Sequence, residues 1–305
     1  MKILVLGSNG LVGNSIRNHS ANFNNYEMYF SNRKDTDLFS YNKTYELISN
    51  TKPDVIINAA AKVGGIHANN TNKSEFLLEN LKINMNILET IKDFRNIYLI
   101  NLGSSCIYPL DAANPIKEDS IMTGKLEPTN SPYAMAKLTA IELGNAISSQ
   151  YGNKIINLMP TNLYGPNDNF SSETSHVIPG LIRRMHKAKL DKEEGFKIWG
   201  TGKPMREFLH VSDLAEAIFF IIGKQPDETL LNIGSGVEIS ILDLAKLIKE
   251  VIGFEGELLF DNSMPDGNPR KFLDSTNIYK LGWEPKIELK DGLTKTYSWF
   301  LKNSL

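Results

Sequence analysis

A doubly wound parallel sheet of the α/β class is predicted by two features of this sequence. Short apolar runs alternate with helical patterns through the first half, and a glycine-rich turn, Gly7-Ser8-Asn9-Gly10-Leu11-Val12-Gly13, follows the first of those runs. A third feature, the change of texture after Pro160, predicts a second, smaller domain of mixed α/β character.

The apolar runs bounded by turn residues predict strands at Lys2 to Leu6, Glu27 to Phe30, Val55 to Ala59, Ile97 to Leu102 and Ile155 to Met159. Between them the spacing predicts helices after Gly10, over Tyr41 to Ser49, Ser74 to Phe94 and Pro132 to Gln150. Strands separated by helices imply parallel pairing with right-handed crossovers. The stretch Thr161-Asn162-Leu163-Tyr164-Gly165-Pro166-Asn167-Asp168-Asn169 is rich in turn residues and is expected to end the regular alternation. Beyond it come an amphipathic helix over Val177 to Lys189, a strand near Phe196 to Trp199 and a helix after Ser212. A strand at Leu230 to Ile233, a helix from Ser240 to Ile252, a strand at Glu257 to Phe260 and a helix near Leu289 to Leu301 follow.

Composition limits the function. A chain of 305 residues, 41% hydrophobic and 22% charged, is long enough for a substantial core in one large or two modest domains. Its net charge of -2 gives no general attraction to nucleic acid or to an anionic membrane, so neither is an expected partner; a small anionic substrate is. One cysteine, Cys106, excludes an intramolecular disulfide and a multi-cysteine metal site, and no metal is expected. The run Ile3-Leu4-Val5-Leu6 is too short for a signal-peptide core and no later apolar run approaches a membrane span, so the expected location is the cytoplasm.

The glycine turn has a physical task. Gly7 permits the turn out of the first strand, Gly10 lets backbone approach a pyrophosphate, and Gly13 lets the helix pack on the sheet with its N-terminus toward the anion. After the second strand, an NAD site places an acid for the ribose 2'-hydroxyl, whereas this chain has Ser31-Asn32-Arg33-Lys34. Arg33 suits a 2'-phosphate, with Lys34 as a neighbouring point charge, which favours NADPH over NADH; the competing reading makes both ordinary surface cations. Asp37 and Leu38 either touch the adenine edge or form a turn.

Tyr133 and Lys137 stand four apart in Ser131-Pro132-Tyr133-Ala134-Met135-Ala136-Lys137, on one helical face. There an ammonium can lower the phenol's pKa and bind a nicotinamide ribose, leaving the phenol to exchange a proton with a carbonyl while hydride moves. A serine after the fourth strand, Ser104 or Ser105 in Gly103-Ser104-Ser105-Cys106-Ile107-Tyr108-Pro109, completes such a set; either one alone is as readily a loop residue satisfying backbone.

Several ordered motifs run over nearly the whole chain: Ala59-Ala60-Ala61-Lys62-Val63-Gly64-Gly65-Ile66, the Gly103 to Pro109 stretch, Glu127-Pro128-Thr129-Asn130-Ser131-Pro132-Tyr133-Ala134 and Met159-Pro160-Thr161-Asn162-Leu163-Tyr164-Gly165-Pro166. Ser175-His176-Val177-Ile178-Pro179, Pro204-Met205-Arg206-Glu207-Phe208-Leu209-His210 and Pro265-Asp266-Gly267 continue them. By these the chain resembles the GDP-L-fucose synthase branch of the extended short-chain dehydrogenase/reductase family. The resemblance implies a Rossmann-type domain over 1–165, with part of 207–235 returning to it, and a mainly sugar-nucleotide-binding domain over 166–305. It implies Ser104, Tyr133 and Lys137 as a reductase triad and Cys106 with His176 as an epimerase pair. For NADP(H) it adds Leu102, Gly103, Pro160, Thr161, Asn162, Leu163 and His176 to Gly7, Asn9, Gly10, Leu11, Val12, Gly13, Arg33, Asp37 and Leu38. For the nucleotide sugar it points to Arg184, Trp199, Arg206, Asp266 and Lys271.

The chemistry is consistent with that assignment. A ketone at C4 acidifies the protons at C3 and C5, so a thiolate and an imidazole on opposite faces can invert either carbon. Tyr133 can steady the enolate at O4 and then protonate that oxygen. Rival readings stay open: Cys106 as an inert buried thiol, His176 as a satisfied interior histidine, Trp199 as a core aromatic, and Arg183 in place of Arg184. His210 is expected to serve packing. Some relatives of this kind carry a basic residue between the first two glycines, where this chain has Asn9, so phosphate recognition would lean on Arg33 and its neighbours. The expected reaction is C3/C5 epimerisation and C4 reduction of GDP-4-keto-6-deoxy-D-mannose by a homodimer. The alternatives are C4 reduction of a GDP-4-keto-heptose in surface-polysaccharide synthesis, and a dinucleotide sensor without catalysis.

Overall fold

A computed structural model describes residues 1–263 and 266–303; Pro265 of the Pro265-Asp266-Gly267 motif lies outside the described residues. In chain order the first half comprises β1 (Lys2–Leu6), α1 (Leu11–Ser20), β2 (Glu27–Ser31), α2 (Tyr41–Thr51), β3 (Val55–Asn58), α3 (Ile66–Thr71), α4 (Lys73–Ile91), β4 (Tyr98–Leu102), α5 (Ser131–Tyr151) and β5 (Lys154–Pro160). The second half comprises β6 (Asn162–Tyr164), α6 (Val177–Leu190), β7 (Gly195–Trp199), β8 (Met205–His210), α7 (Val211–Lys224), β9 (Leu230–Ile233) and β10 (Glu238–Ser240). It ends with α8 (Ile241–Ile252), β11 (Glu257–Asp261), β12 (Arg270–Lys271), α9 (Thr276–Leu281) and α10 (Leu289–Asn303).

Six strands form one parallel sheet in the order β2-β1-β3-β4-β5-β9. Its strands are apolar almost throughout because both faces are covered. Ile3 and Val5 of β1 face a core shared with α1 and α7, through Ile16, Leu214, Ile218 and Ile222. Leu4 and Leu6, one residue out of step, face the opposite core with Ile48 of α2, Ile83 and Ile87 of α4, and Ala140 and Ile147 of α5. The predicted fold class is the one observed.

A buried amide ladder pins the register at the middle of this sheet. Asn58, Asn101 and Asn157 are register partners across β3, β4 and β5. Asn58 Nδ2 donates to Asn101 Oδ1 at 2.9 Å, and Asn101 Nδ2 to Asn157 Oδ1 at 3.0 Å. A one-residue slip of any strand would leave these amides unpaired in the interior, at about 1–3 kcal/mol per lost partner.

A second apolar core gathers Ile178, Leu181 and Met185 of α6, Phe196 and Ile198 of β7, Leu244 and Ile248 of α8, and Leu293 and Phe300 of α10. Beside it, β8 pairs with β6, β10 and β12, while β7 pairs with β11. Here the sequence expectation is corrected: the turn-rich stretch after Pro160 first makes strand β6, and the loop begins only at Gly165. β8 and α3 were not expected either. The β8 sequence, with Arg206 and Glu207 adjacent, lacks an apolar run; its strand state rests on pairing with three neighbours rather than on propensity.

Candidate active site

The strand order reverses between β1 and β3, which opens a crevice beyond their carboxyl ends. The glycine turn occupies that end. Gly7 has φ +79°, and a Cβ there would lie 2.7 Å from the backbone of Ala60; one on Gly13 would lie 2.4 Å from the Gly7 carbonyl oxygen. Only glycine fits at either position. A Cβ on Gly10 would meet nothing nearer than the Gly7 oxygen at 3.5 Å, so protein does not fill the space over it. The first intrahelical bond of α1 runs from Asn14 N to Gly10 O, leaving the N–H groups of Leu11, Val12 and Gly13 for an anion. Asn9 supplies its carbonyl oxygen to Asn14 Nδ2 at 2.8 Å, which fixes the turn. These features fit a dinucleotide pyrophosphate.

At the end of β2, the Arg33 side chain is 76% exposed and lies 3.8 Å from Glu79 of α4. The nearest acid on its own turn, Asp35, is spent on Asn32, accepting from its backbone N–H at 2.9 Å and from its side-chain amide. A cation is thus presented where a 2'-phosphate would sit. Asp37 accepts from Phe39 N at 3.0 Å and Leu38 O accepts from Asn86 Nδ2 at 2.8 Å, so both residues build the turn leading to α2. At the far side of the crevice, Thr161 Oγ1 and Asn162 Nδ2 both donate to the backbone oxygen of Glu207, at 3.1 and 2.8 Å. That ties the Pro160 to Leu163 segment to β8, next to Arg206.

Helix α5 starts at Ser131 with Pro132 in its first turn and presents Tyr133 and Lys137 to the end of β4. Tyr133 is 9% exposed and Lys137 3%. Lys137 Nζ donates to Leu102 O at 2.7 Å and lies 5.9 Å from the Tyr133 ring centroid. Burial lowers the Lys137 ammonium to about 8. Burial also drives the Tyr133 phenol above its ordinary value, the Cys106 sulfur adds to this, and a hydrogen bond with Ser104 pulls partway back. The expected lowering of the phenol is therefore reversed. With both side chains buried and Lys137 turned to a carbonyl, desolvation outweighs the ammonium, and Tyr133 is held as a proton donor.

Ser104 precedes a 3-10 turn, Ser105–Ile107, and its Oγ accepts from Cys106 N at 3.2 Å. Between the two candidate serines, Ser104 is the one that acts on the phenol, lowering its pKa, while Ser105 is buried. Cys106 is half-buried and packs in one small apolar cluster with Ala68, Phe76 and Tyr133. Phe76 meets the Tyr133 ring edge-on at 6.3 Å. Asn130, a residue that the sequence reading placed in a motif without a role, donates from Nδ2 to the sulfur at 3.4 Å.

His176 is the residue before α6 and is exposed. Solvent reaches the residue, yet protein crowds the imidazole enough that burial holds its pKa below the ordinary value. The loop before it is braced by the Val63 to Ile66 motif: Gly65 N donates to Thr174 O at 3.0 Å, and a Cβ on Gly65 would strike the Ser175 oxygen at 2.4 Å.

The sugar-nucleotide candidates converge only in part. Arg184 lies over the rings of Trp199, at 4.5 Å, and Phe196, at 5.0 Å, while Nη1 donates to Lys197 O at 3.2 Å. Its rival Arg183 points elsewhere, donating to Phe170 O at 2.9 Å. Trp199 is 53% exposed, so it is no core aromatic. Burial lowers the Arg206 guanidinium, while Cys106 and Asp266 raise it. Asp266 is already engaged: its two oxygens accept from Thr201 N at 2.8 Å and Thr201 Oγ1 at 2.7 Å, closing the turn after β7. Lys271 is half-buried in β12, opposite Arg206. His210 is buried, accepts from Ser212 N at 3.2 Å and packs edge-on against Tyr164, as expected of a packing residue.

Comparison with known proteins agrees with this geometry. The profile of the NAD dependent epimerase/dehydratase family matches residues 3–234. The chain is 47% identical over 302 residues to GDP-L-fucose synthase 1 of Arabidopsis thaliana, covering 99% of this chain and 94% of that protein. Among solved structures it superposes on an NADP-bound GDP-L-fucose synthetase from Naegleria fowleri with a TM-score of 0.91 and 30% identity, covering 99% and 93% of the two chains. A GDP-6-OMe-4-keto-L-xylo-heptose reductase from C. jejuni gives a TM-score of 0.92 at 30% identity, covering 99% and 97%.

Proposed function

The chain belongs to the NAD dependent epimerase/dehydratase family, and we propose that it converts GDP-4-keto-6-deoxy-D-mannose to GDP-L-fucose by epimerisation at C3 and C5 and NADPH-dependent reduction at C4. The observation that carries the proposal is the shared pocket of Tyr133 and Cys106, with Ser104 close enough to the phenol to pull its pKa down. A reductase alone needs the phenol; a nucleophilic sulfur against the same ring suits a second reaction at carbons flanking the same carbonyl.

In the proposed sequence Cys106, as thiolate, takes the proton from C3 or C5. The C–H bond breaks, an S–H bond forms, and the electron pair moves into an enolate at O4 that Tyr133 and Ser104 stabilise by hydrogen bonding. His176, as imidazolium, returns a proton to the opposite face of that carbon, and its lowered pKa makes it the readier acid. The Gly7 to Gly13 turn, Arg33 and Lys137 would hold NADPH, which would supply the hydride. Tyr133, kept protonated by burial, gives its proton to O4 as the alcohol forms. Arg184, Trp199 and Arg206 take the nucleotide diphosphate, and Asp266 acts by fixing the Thr201 turn. Arg184, Trp199 and Arg206 lie on α6, β7 and β8, elements that contribute to the second core, which supports reading 166–305 as mainly the nucleotide-sugar portion and 1–165 as the cofactor portion.

The likeness to a heptose reductase favours a second reading, C4 reduction of a GDP-4-keto-heptose. Incubation in deuterated water with each sugar separates the two. Deuterium at C3 and C5 of GDP-L-fucose is expected; reduction of the heptose alone, without exchange, sinks the first reading. We also assign a homodimer through α4 and α5, where Leu78, Met85 and Met135 stand exposed, with Met122 exposed in the turn before α5. Light scattering on Met85→Glu, expected to give a monomer, tests it.

A further inference from the structure

Asn130 occupies the position before α5 where an asparagine ordinarily caps the helix, yet its side chain makes no capping bond. It is turned instead toward Cys106, with Nδ2 donating to the sulfur at 3.4 Å. Among the described residues this is the one side-chain hydrogen bond the sulfur receives. The backbone behind it is fixed. The Glu127 carboxylate accepts from Thr129 N at 3.1 Å, Thr129 Oγ1 at 2.5 Å and Asn130 N at 3.2 Å, and Asn130 O receives the first helical bond, from Ala134 N at 3.0 Å. The other end of the amide, Oδ1, is buried with no hydrogen-bond partner among the described residues.

We infer that Asn130 is a further catalytic residue of the epimerisation: its amide N–H favours the thiolate of Cys106, and its unpartnered oxygen accepts from a hydroxyl of the bound sugar. The inference rests on the epimerase reading given above. A thiolate offers only lone pairs, so the amide facing it must present the NH2 end, which leaves Oδ1 facing away. A buried carbonyl oxygen without a donor is uncommon in a native interior, and a ligand hydroxyl is the donor that would relieve it. The helix supplies the rest. Asn130 and Tyr133 are three apart at the start of α5, so one rigid turn sets the sulfur's partner and the phenol together.

Cys106 is the only cysteine in the chain, so alkylation by iodoacetamide at neutral pH reports on its sulfur alone. Loss of one charge-assisted hydrogen bond predicts alkylation slower by about tenfold in Asn130→Ala. Asn130→Asp keeps the size and remains a good residue before a helix, but sets a carboxylate against the thiolate, and is expected to be slower still. The two variants separate on the sugar: KM rises in Asn130→Ala and stays near wild type in Asn130→Asp, which retains the acceptor. Deuterium incorporation falls in both at least as far as alkylation, with NADP+ binding unchanged within twofold. Alkylation within twofold of wild type in both variants overturns the inference. Wild-type protein that exchanges no deuterium into the sugar sinks the epimerase reading, and the alkylation rates still decide whether Asn130 acts on the sulfur.

Discussion

Lys137 Nζ donates to the carbonyl oxygen of Leu102 at 2.7 Å, so the end of strand β4 holds a buried ammonium one helical turn beyond Tyr133. A single carbonyl does not offset the loss of water around a cation, and burial lowers the ammonium to about 8 from an ordinary 10.5. The fold thus keeps a destabilising group where the chemistry needs a charge.

The stability consequence has a definite sign. Between about 8 and 10.5 the unfolded chain binds more protons than the folded one, so stability rises with pH across that window. Lys137→Met should raise the urea-unfolding stability at pH 7 by on the order of 1–2 kcal/mol, after allowance for the lost bond to Leu102. The gain should shrink as pH climbs from 8 toward 10.5, while NADPH turnover falls by about a hundredfold or more. A gain independent of pH, or retained turnover, contradicts the assignment.

Arg33, 3.8 Å from Glu79 but 76% exposed, is available to a 2'-phosphate because Asp35, the nearest acid on its turn, is committed to Asn32. Arg33→Glu would remove the cation and place an acid suited to a ribose 2'-hydroxyl. The KM for NADPH is expected to rise by roughly 10- to 100-fold, while that for NADH stays level or falls. Steady-state kinetics with both cofactors check this, and an equal rise for both would refute a phosphate contact.

The parallel sheet was legible because its signals are local. The runs in β1, β3, β4 and β5 are apolar on consecutive positions, and the Gly7 to Gly13 turn directly follows β1. Strand β8 was not, since Met205–His210 carries Arg206 and buries Glu207, and its strand state depends on partners far away in sequence. At the site, residue types were readable and their states were not. The lowering of Tyr133 expected from Lys137 required knowing that the ammonium turns to Leu102 and that both groups are dry. Trp199 against Phe196, and Arg184 against Arg183, are distinctions of direction along β7 and α6 that adjacent letters do not carry.

Trp199 is an exposed aromatic whose ring carries the Arg184 guanidinium at 4.5 Å. A cation held over a ring, with Nη1 anchored on Lys197 O, is aimed before a ligand arrives. Trp199→Ala should therefore raise KM for the nucleotide sugar about tenfold and leave kcat nearly unchanged, the pattern of lost uniform binding. Arg184→Ala should raise it further. If kcat fell with KM unaltered in either variant, the pair would have to act on the chemical step instead.

His210 is buried with Nδ1 accepting from Ser212 N and Nε2 without a partner among the described residues. Burial, with a smaller contribution from Lys295, lowers it from an ordinary 6.5 to about 4. Between those values the unfolded chain binds the extra proton, so the contribution is present in full above 6.5 and is lost as pH falls toward 4. The shift corresponds to about 3 kcal/mol at most. His210→Asn keeps an acceptor for Ser212 N but has no proton to gain. It should lose some stability at pH 7 through poorer packing on Tyr164. On acidification from pH 7 to 4.5, however, its urea-unfolding stability should fall less steeply than that of the wild type. Parallel acid profiles for the two proteins would mean that His210 is not the group whose protonation the folded state resists.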